Sequence, residues 1–231
     1  MASTAVTSKQ QEVHRIVEVL SRAIAQHKLP PGTRLVEAQI VEALGANRNH
    51  VQVALQRLAM QRIVHIEPNK GAMVAQPTAQ EARDVFAARR AVERAIVESI
   101  TPEIVRANAA RINGHMGAER AATDATDRRA IVRELSEFHL MLGHICGNCV
   151  LADILDNLMV RSSLIVALYQ RNDSPPCASD EHETIIDALA EGDRQRAIDE
   201  MIAHLNELEA QLDLEERLPS EVNLQDALSG L

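Results

Sequence analysis

Residues 32–58 read GTRLVEAQIVEALGANRNHVQVALQRL, and their pattern is the strongest structural signal in the amino-terminal part of the chain. Apolar residues recur at helical spacing on both sides of Gly45, a residue type that permits a sharp turn. They are Leu35, Ile40, Val41 and Leu44 before the glycine, and Val51, Ala54, Leu55 and Leu58 after it. The pattern predicts two helices joined by a tight turn, which is a helix-turn-helix.

The second of these helices carries polar side chains on the face that its apolar stripe leaves outside. They are Arg48, Asn49, His50, Gln52, Gln56 and Arg57. Hydrogen-bonding side chains at the start and along one side of a helix are what a recognition helix presents to base edges in the major groove of DNA. For His50 there is an alternative role, since it could simply shield the start of the helix.

The flanking segments complete a winged helix-turn-helix. An apolar stripe predicts a helix over residues 11–26, and residues 63–66 and 72–74 are β-like runs joined by the turn sequence EPNKG. This hairpin would be a two-stranded wing over the minor groove or the phosphates, with Lys70 at its tip. The predicted DNA-binding residues are Arg34, Arg48, Asn49, His50, Gln52, Lys70 and Gly71.

The rest of the chain is helical by pattern. Thr78 and Glu81 form a capping box that begins a helix reaching about Ile100, and Pro102 begins the next helix. Helical patterns follow over residues 127–146, 149–171 with a break near Arg161, 179–190 and 193–212. We therefore expect a mainly α protein with a winged helix-turn-helix at residues 1–76, an antiparallel bundle of about six to seven helices at residues 77–214 and a polar tail at residues 215–231.

Charge divides between the same two parts. Residues 1–76 carry nine Lys and Arg against five Asp and Glu, whereas residues 77–231 carry 15 against 28. The basic part can gain affinity for DNA by displacing counterions from phosphates, and the acidic part should point away from DNA.

No apolar run approaches the length of about 20 residues that a membrane span requires, and the sequence shows no signal peptide. We therefore expect a cytoplasmic protein without a membrane partner. The three cysteines, including the pair Cys146 and Cys149, are expected to be reduced packing residues.

Taken in order, these residues resemble the GntR superfamily of bacterial transcription regulators, in its FadR-like branch with an FCD effector-binding domain. In the amino-terminal part the similarity lies in residues 29–37, 44–45, 54–55, 57–58 and 69–71, with Arg48 and Val51. In the remainder it lies in residues 85–89, 138–139, 147–148, 180–182, 188–193 and 204–205, with Glu93. The resemblance implies a homodimer that binds a pseudo-palindromic double-stranded DNA operator and a small anionic metabolite.

Residues 47–53 depart from the family pattern, because NRNHVQV stands where the family usually has SRTPVRE. Arg48 is retained and can make a bidentate contact to guanine. Gln52 stands in the place of a second DNA-contacting arginine; it prefers adenine edges and neutralises no phosphate. We therefore expect an operator that differs from those of common relatives and binding that depends less on salt.

The resemblance also implies metal ligands on three different helices, which are His139, His182 and His204. Neutral imidazoles suit Zn²⁺ or Ni²⁺ and leave positions open for water or a small carboxylate. The family commonly has an aspartate four residues before the first of these histidines, whereas this chain has Leu135. We expect weaker metal binding, or completion of the coordination shell by the effector. In the alternative reading, the histidines line a polar cavity or bond to helix carbonyls.

Arg89, Arg161 and Asn148 are the candidate effector-binding residues. Arg89 matches a family arginine, and Arg161 lies among apolar residues, where an inward guanidinium could clamp an anion. The alternatives are an ion pair or a surface position for each arginine and a helix terminus for Asn148.

These features predict a ligand-responsive transcriptional regulator, a repressor released by a small carboxylate-type metabolite bound directly or through a metal. A metal-responsive sensor is one alternative. A metal-dependent hydrolase, with Glu134 or Glu137 activating water, is a second and weaker one. Because no set of nucleophile, base and orienting residue is recognisable, an enzyme is not predicted.

Overall fold

A computed structural model describes residues 8–67, 71–124, 128–170 and 179–214. Its amino-terminal part contains α1 (Ser8–Ala25), β1 (Arg34–Leu35), α2 (Glu37–Leu44), α3 (Arg48–Met60), β2 (Val64–Glu67) and β3 (Gly71–Val74). Its carboxy-terminal part contains α4 (Ala79–Ser99), α5 (Pro102–Ala107), α6 (Ala109–Asp124), α7 (Arg128–Ile145), α8 (Cys149–Tyr169), α9 (Ser179–Glu191) and α10 (Arg194–Ala210). The predicted mainly α class with a winged helix-turn-helix is confirmed. The predicted tail at residues 215–231 lies outside the described residues.

The sheet has three strands, one more than the two-stranded wing that we predicted. Strand β3 pairs antiparallel with both β1 and β2. Leu35, which we predicted on the first helix of the helix-turn-helix, instead lies in β1 opposite Ala72. Backbone hydrogen bonds from Gly32 to Val74 and from Val74 to Thr33 extend the pairing, so α2 begins only at Glu37.

Gly45 and Asn47 form the turn between α2 and α3. Gly45 has a φ of +58°, a left-handed conformation that glycine adopts without steric cost, and its N–H donates to the carbonyl of Val41. The side chain of Asn47 accepts a hydrogen bond from the backbone N–H of Asn49 at 2.9 Å, which caps α3. The predicted inner stripe of α3 is buried and consists of Val51, Ala54, Leu55 and Leu58.

The carboxy-terminal part is a bundle of seven helices within the described ranges, and none of them is long and apolar enough to span a membrane. The predicted capping box is present at the start of α4, where Thr78 and Glu81 bond to each other's backbone N–H. The expected break near Arg161 is wrong, because α8 continues from Cys149 to Tyr169. The helix that begins at Pro102 is short and ends at Ala107. The side chain of the next residue, Asn108, donates a hydrogen bond to the carbonyl of Ile104.

The cysteine pair lies at the turn between α7 and α8. Cys146 is buried and donates to the carbonyl of Gly143 at 3.1 Å, whereas Cys149 is exposed. Both are free thiols, and neither belongs to the histidine cluster described below.

Helix α8 joins the two parts of the molecule. Its Leu164 is 1% exposed and packs into the core of the winged helix-turn-helix. The neighbouring Ser163 donates its hydroxyl to the carbonyl of Ala25 at 2.7 Å, and its own carbonyl lies 3.0 Å from Nε2 of His27. Further along, Asn157 donates to the carbonyl of Gln61 at 3.3 Å. The DNA-binding part is therefore fastened to one helix of the bundle.

Candidate DNA-binding surface and metal centre

The start of α3 presents the predicted recognition residues at the surface. Arg48, Asn49 and Gln52 are exposed, and so are Arg34 on β1 and Gly71 at the start of β3. Lys70 lies outside the described residues. His50 is half-buried, and its Nδ1 is buried without a hydrogen-bond partner among the described residues. This fits the helix-shielding role better than it fits a fully presented base contact.

Glu37 is a further functional candidate, one that the sequence pattern does not predict. Its Oε2 accepts hydrogen bonds from Nε of Arg48 at 3.2 Å and from Nε2 of Gln52 at 2.9 Å. One carboxylate on α2 thus holds two side chains of the recognition helix together. The only sequence signal is an acid in the first turn of α2, a position that also has a simple explanation in the helix dipole.

The three predicted metal ligands converge inside the helical bundle. His139, His182 and His204 come from α7, α9 and α10 and are all at most 3% exposed. Nε2 of His204 lies 3.3 Å from Nε2 of His182 and 3.3 Å from Nε2 of His139. Each residue offers one ligand atom within 4.8 Å of the others, so the three form one candidate metal site.

Each of these imidazoles is oriented by a carboxylate at its other nitrogen. Nδ1 of His139 lies 2.5 Å from Glu93, Nδ1 of His182 lies 3.0 Å from both oxygens of Glu119, and Nδ1 of His204 lies 2.6 Å from Glu181. A proton on each Nδ1 donates to its carboxylate and leaves a lone pair on each Nε2. The three lone pairs then face one another, an arrangement that suits a cation between them.

The spacing of the nitrogens fits a tetrahedral divalent ion. Two imidazole nitrogens at about 2.0–2.1 Å from zinc lie about 3.3 Å apart at the tetrahedral angle. The Nε2–Nε2 distances from His204 to His182 and from His204 to His139 are both 3.3 Å. Zinc and nickel are the divalent ions that such imidazole sets commonly bind. The donor set therefore fits the predicted Zn²⁺ or Ni²⁺.

The surrounding charges compensate for the aspartate that the family has at the position of Leu135. Leu135 is half-buried and has no ligand atom. Three glutamates and one arginine, Arg89, surround the histidines, which gives three negative charges against one positive charge. The sum matches a divalent cation. The three glutamates were not predicted as a set, because they lie on α4, α6 and α9 with no regular spacing.

Burial keeps His139 and His182 neutral and available as ligands. It lowers the pKa of His139 to about 3 and also lowers the pKa of His182, against the attraction of the neighbouring glutamates. Burial acts to raise the pKa of Glu93, but Arg89 and His139 outweigh it and lower that pKa to about 2. Glu119 follows the same pattern, since hydrogen bonds from His115 and His182 lower its pKa against the effect of burial.

Arg89 lies beside the histidine cluster with one hydrogen-bonding group unused. It is 2% exposed; its Nε donates to Glu93 at 2.8 Å and its Nη1 donates to Ser162 at 2.9 Å. Its Nη2 is buried and has no hydrogen-bond partner among the described residues. Since Glu93 also accepts a hydrogen bond from His139, Arg89 and the candidate metal site share one carboxylate. A buried donor without a partner is costly unless a ligand satisfies it.

The other two predicted effector contacts lie elsewhere. Arg161 lines a cleft between the winged helix-turn-helix and the bundle, although its neighbour Ser162 contacts Arg89. Successive residues of a helix point in different directions, which explains the separation. Asn148 is exposed and caps α8 by accepting from the N–H groups of Val150 and Leu151 at 3.1 and 3.2 Å. This is the helix-terminus role given above as the alternative, and an effector contact at Asn148 stays a prediction.

Two family models match the chain in its two parts. The model described as bacterial regulatory proteins of the gntR family matches residues 12–74, and the FCD domain model matches residues 84–207. The second match alone spans more than half of the chain.

Two proteins named as transcriptional repressors are similar to this chain over most of its length. The HTH-type transcriptional repressor RspR of Escherichia coli is 25% identical over 200 residues, with 86% of each chain covered. A probable D-xylose utilization operon transcriptional repressor of Paenarthrobacter nicotinovorans is 24% identical, with 79% of this chain and 80% of that protein covered.

Two solved structures share the fold over most of the chain. A GntR transcriptional regulator from Rhodococcus sp. RHA1 is 25% identical, with a TM-score of 0.74 and coverage of 87% of this chain and 97% of that one. E. coli McbR/YncC shares the fold with a TM-score of 0.75 at 18% identity, covering 91% and 97% of the two chains. The chain therefore belongs to the GntR family of bacterial regulatory proteins with an FCD domain, and it is a DNA-binding transcriptional regulator rather than an enzyme.

Proposed function

We propose that this regulator is a repressor whose release from DNA is controlled by a small carboxylate-type metabolite bound beside the three histidines. The observation that carries the proposal is the unused, buried Nη2 of Arg89 next to three converging imidazole nitrogens. A carboxylate is the group that satisfies a guanidinium donor and also completes the shell of a divalent ion. The repressor function is supported by the names of RspR and of the D-xylose operon relative.

The ion belongs to this proposal as a resident cofactor. His139, His182 and His204 would hold Zn²⁺ or Ni²⁺, and the ion would act as a Lewis acid that binds the carboxylate of the effector. Glu93, Glu119 and Glu181 keep the imidazoles in the tautomer that binds metal and fix their orientation. Arg89 supplies the second, charge-assisted contact, which favours an anionic effector over a neutral one.

Three consecutive residues of α8 offer a route from this site to the DNA-binding part. Ser162 accepts a hydrogen bond from Arg89, Ser163 bonds to the end of α1, and Leu164 packs in the winged helix-turn-helix core. An effector that pulls Arg89 toward itself would shift Ser162 and with it the next two residues. Such coupling needs different contacts in the two states, and the Arg89–Ser162 hydrogen bond is the contact that would change.

The DNA-bound form is proposed to be a homodimer on a pseudo-palindromic operator in the cytoplasm. One winged helix reads a single half-site, and a two-fold pair reads two half-sites at a fixed spacing. The exposed Arg48, Asn49 and Gln52 would read base edges in each half, while Arg34, Gly71 and Lys70 would contact the DNA backbone, with His50 close to the helix start.

The experiment starts from an operator selected from fragmented genomic DNA with the purified protein. Small mono-, di- and tricarboxylates are then tested for release of the labelled operator, measured by fluorescence anisotropy. At least one carboxylate is expected to release the operator from the wild-type protein. The Arg89→Gln variant should bind the operator as tightly as wild type but should not release it when the carboxylate is added. Arg94→Gln, which alters an exposed arginine on the same helix, is the matched control and should respond like wild type. Equal responses in the two variants would remove Arg89 from the effector site.

A metal-responsive sensor remains the second candidate, because the three carboxylate-oriented histidines would also suit a metal that is itself the signal. Titration of chelator-treated protein with Zn²⁺ or Ni²⁺ separates the two functions. A graded change in operator affinity with metal alone supports the sensor. Operator affinity that is independent of the metal, combined with a carboxylate response that requires it, supports the cofactor role.

A further inference from the structure

A cleft between the winged helix-turn-helix and the helical bundle has the features of a second ligand site. Its volume is about 320 Å³, and its walls come from both parts of the chain and from the linker between them. The polar groups in its lining are Arg62, His65, Gln76, Glu81 and Arg161. The volume is at the lower end of the about 300–1,000 Å³ typical of ligand pockets, which frequently occur between domains. The cleft is therefore suited to a small, polar molecule.

Two arginines line this cleft, one from each part of the chain. Arg62 lies in the turn between α3 and β2, and Arg161 lies on α8. Arg161 is half-buried, and within the described ranges no hydrogen bond or ion pair within 4 Å engages its guanidinium. Two like charges at one cleft repel each other and attract an anion between them.

The acidic group in the lining, Glu81, pairs with Arg62 and not with Arg161. Oε1 of Glu81 lies 3.6 Å from Nη1 of Arg62, at the outer limit of an ion pair. Its other oxygen is occupied by the capping box, where it accepts from the backbone N–H and the hydroxyl of Thr78. Glu81 and Asp84 both attract Arg161 from beyond ion-pair distance, but burial and the charge of Arg62 outweigh them and lower the pKa of Arg161. The guanidinium thus lacks a close counterion in a partly buried position.

We propose that this cleft binds a small oxyanion, a phosphate or a carboxylate group, between Arg62 and Arg161. The anion makes charge-assisted hydrogen bonds to both guanidinium groups and thereby ties the DNA-binding part to α8. The site is separate from Arg89 and the histidines, because Arg161 and Leu164 line the cleft from a different face of α8 than Ser162, which contacts Arg89. Its existence does not depend on the carboxylate or metal proposed for that other site.

Isothermal titration calorimetry of chelator-treated protein with inorganic phosphate and with malonate tests the proposal. At least one of the two anions is expected to bind wild type at millimolar or lower concentration. Arg161→Gln and Arg62→Gln should each weaken that binding at least tenfold. Arg196→Gln, which removes an arginine from a surface pair with Glu191, is the matched control and should bind like wild type.

His182→Ala and Arg89→Gln separate this site from the one beside the histidines. Anion binding that persists in both variants and is lost in Arg161→Gln supports the cleft. Binding that is lost in Arg89→Gln and kept in Arg161→Gln assigns the anion to the other site and overturns the proposal. Absence of binding by both anions to wild type also overturns it. Thermal unfolding of each variant tests whether the chain remains folded. The side chain of Arg62 is 71% exposed, so Arg62→Gln removes no packing from the core.

Discussion

Gln52→Arg is the substitution that most directly tests how the recognition helix meets DNA. Gln52 is exposed on α3, and its amide donates to Glu37 at 2.9 Å, beside the exposed Arg48. An arginine at this position adds a positive charge on the surface that faces DNA. The charge can neutralise one phosphate per half-site, which Gln52 cannot do.

The size of the effect follows from counterion release. Each neutralised phosphate steepens the slope of log affinity against log salt by about 0.9, so two half-sites add about 1.8. A fourfold rise in salt concentration would then weaken Gln52→Arg by about 12-fold more than it weakens wild type. Sequence preference should also shift from adenine toward guanine at the contacted base pair.

Fluorescence anisotropy over a series of salt concentrations measures the slope, and selection from random DNA measures the preference. Gln195→Arg adds the same charge on the exposed face of α10 and is the control for net charge. If the slope and preferred sequence of Gln52→Arg both equalled those of Gln195→Arg, position 52 would not contact DNA in the inferred way.

Three further perturbations follow from individual contacts. Glu37→Gln weakens the hydrogen bonds that Glu37 accepts from Arg48 and Gln52, and exposed pairs of this kind contribute about 0.2–1 kcal/mol. Affinity for unrelated DNA, measured by anisotropy titration, should therefore rise about 1.5- to 5-fold while discrimination in favour of the operator falls. Unchanged discrimination would show that Glu37 has no part in recognition. Glu119→Gln keeps the shape of the side chain that orients His182 but loses its charge, and zinc affinity measured against a chromophoric chelator should fall about 10–100-fold, whereas the exposed Glu183→Gln should have no effect. Leu164→Ala removes a buried side chain where α8 meets the winged helix-turn-helix, and it should lower the free energy of unfolding in urea by about 2–5 kcal/mol. Leu168→Ala, at a position 38% exposed on the same helix, is the control and should lower it by less than about 1 kcal/mol. Equal losses in the two variants would show that the junction contributes little to stability.

Local patterns predicted the helices well because each carries its own signals. The stripe of α3, the Gly45 turn and the capping box at Thr78 depend on residues within a few positions of one another. The strand β1 is only two residues long, and it exists because β3 pairs with it from nearly forty positions away. Pairing between distant segments leaves no periodicity for a sequence argument to find.

The site was predictable only in part for the same reason. His139, His182 and His204 are separated by 43 and 22 residues, and the resemblance to the family, rather than their spacing, brought them together. The glutamates that orient them come from still other helices and were not identified. The apolar neighbours of Arg161 in the sequence predict an inward guanidinium, but they do not indicate which cavity it lines, and in the structure it lines the cleft between the two parts of the chain.

The metal content of protein purified without chelator tests the proposed site most directly. Mass spectrometric elemental analysis should find about one divalent ion per chain in wild type and in Arg89→Gln, and none in His204→Ala. Arg89→Gln retains all three imidazoles and therefore separates metal binding from effector binding. A wild-type chain that carries no stoichiometric metal, and that still releases its operator in response to a carboxylate, would contradict the proposed metal centre.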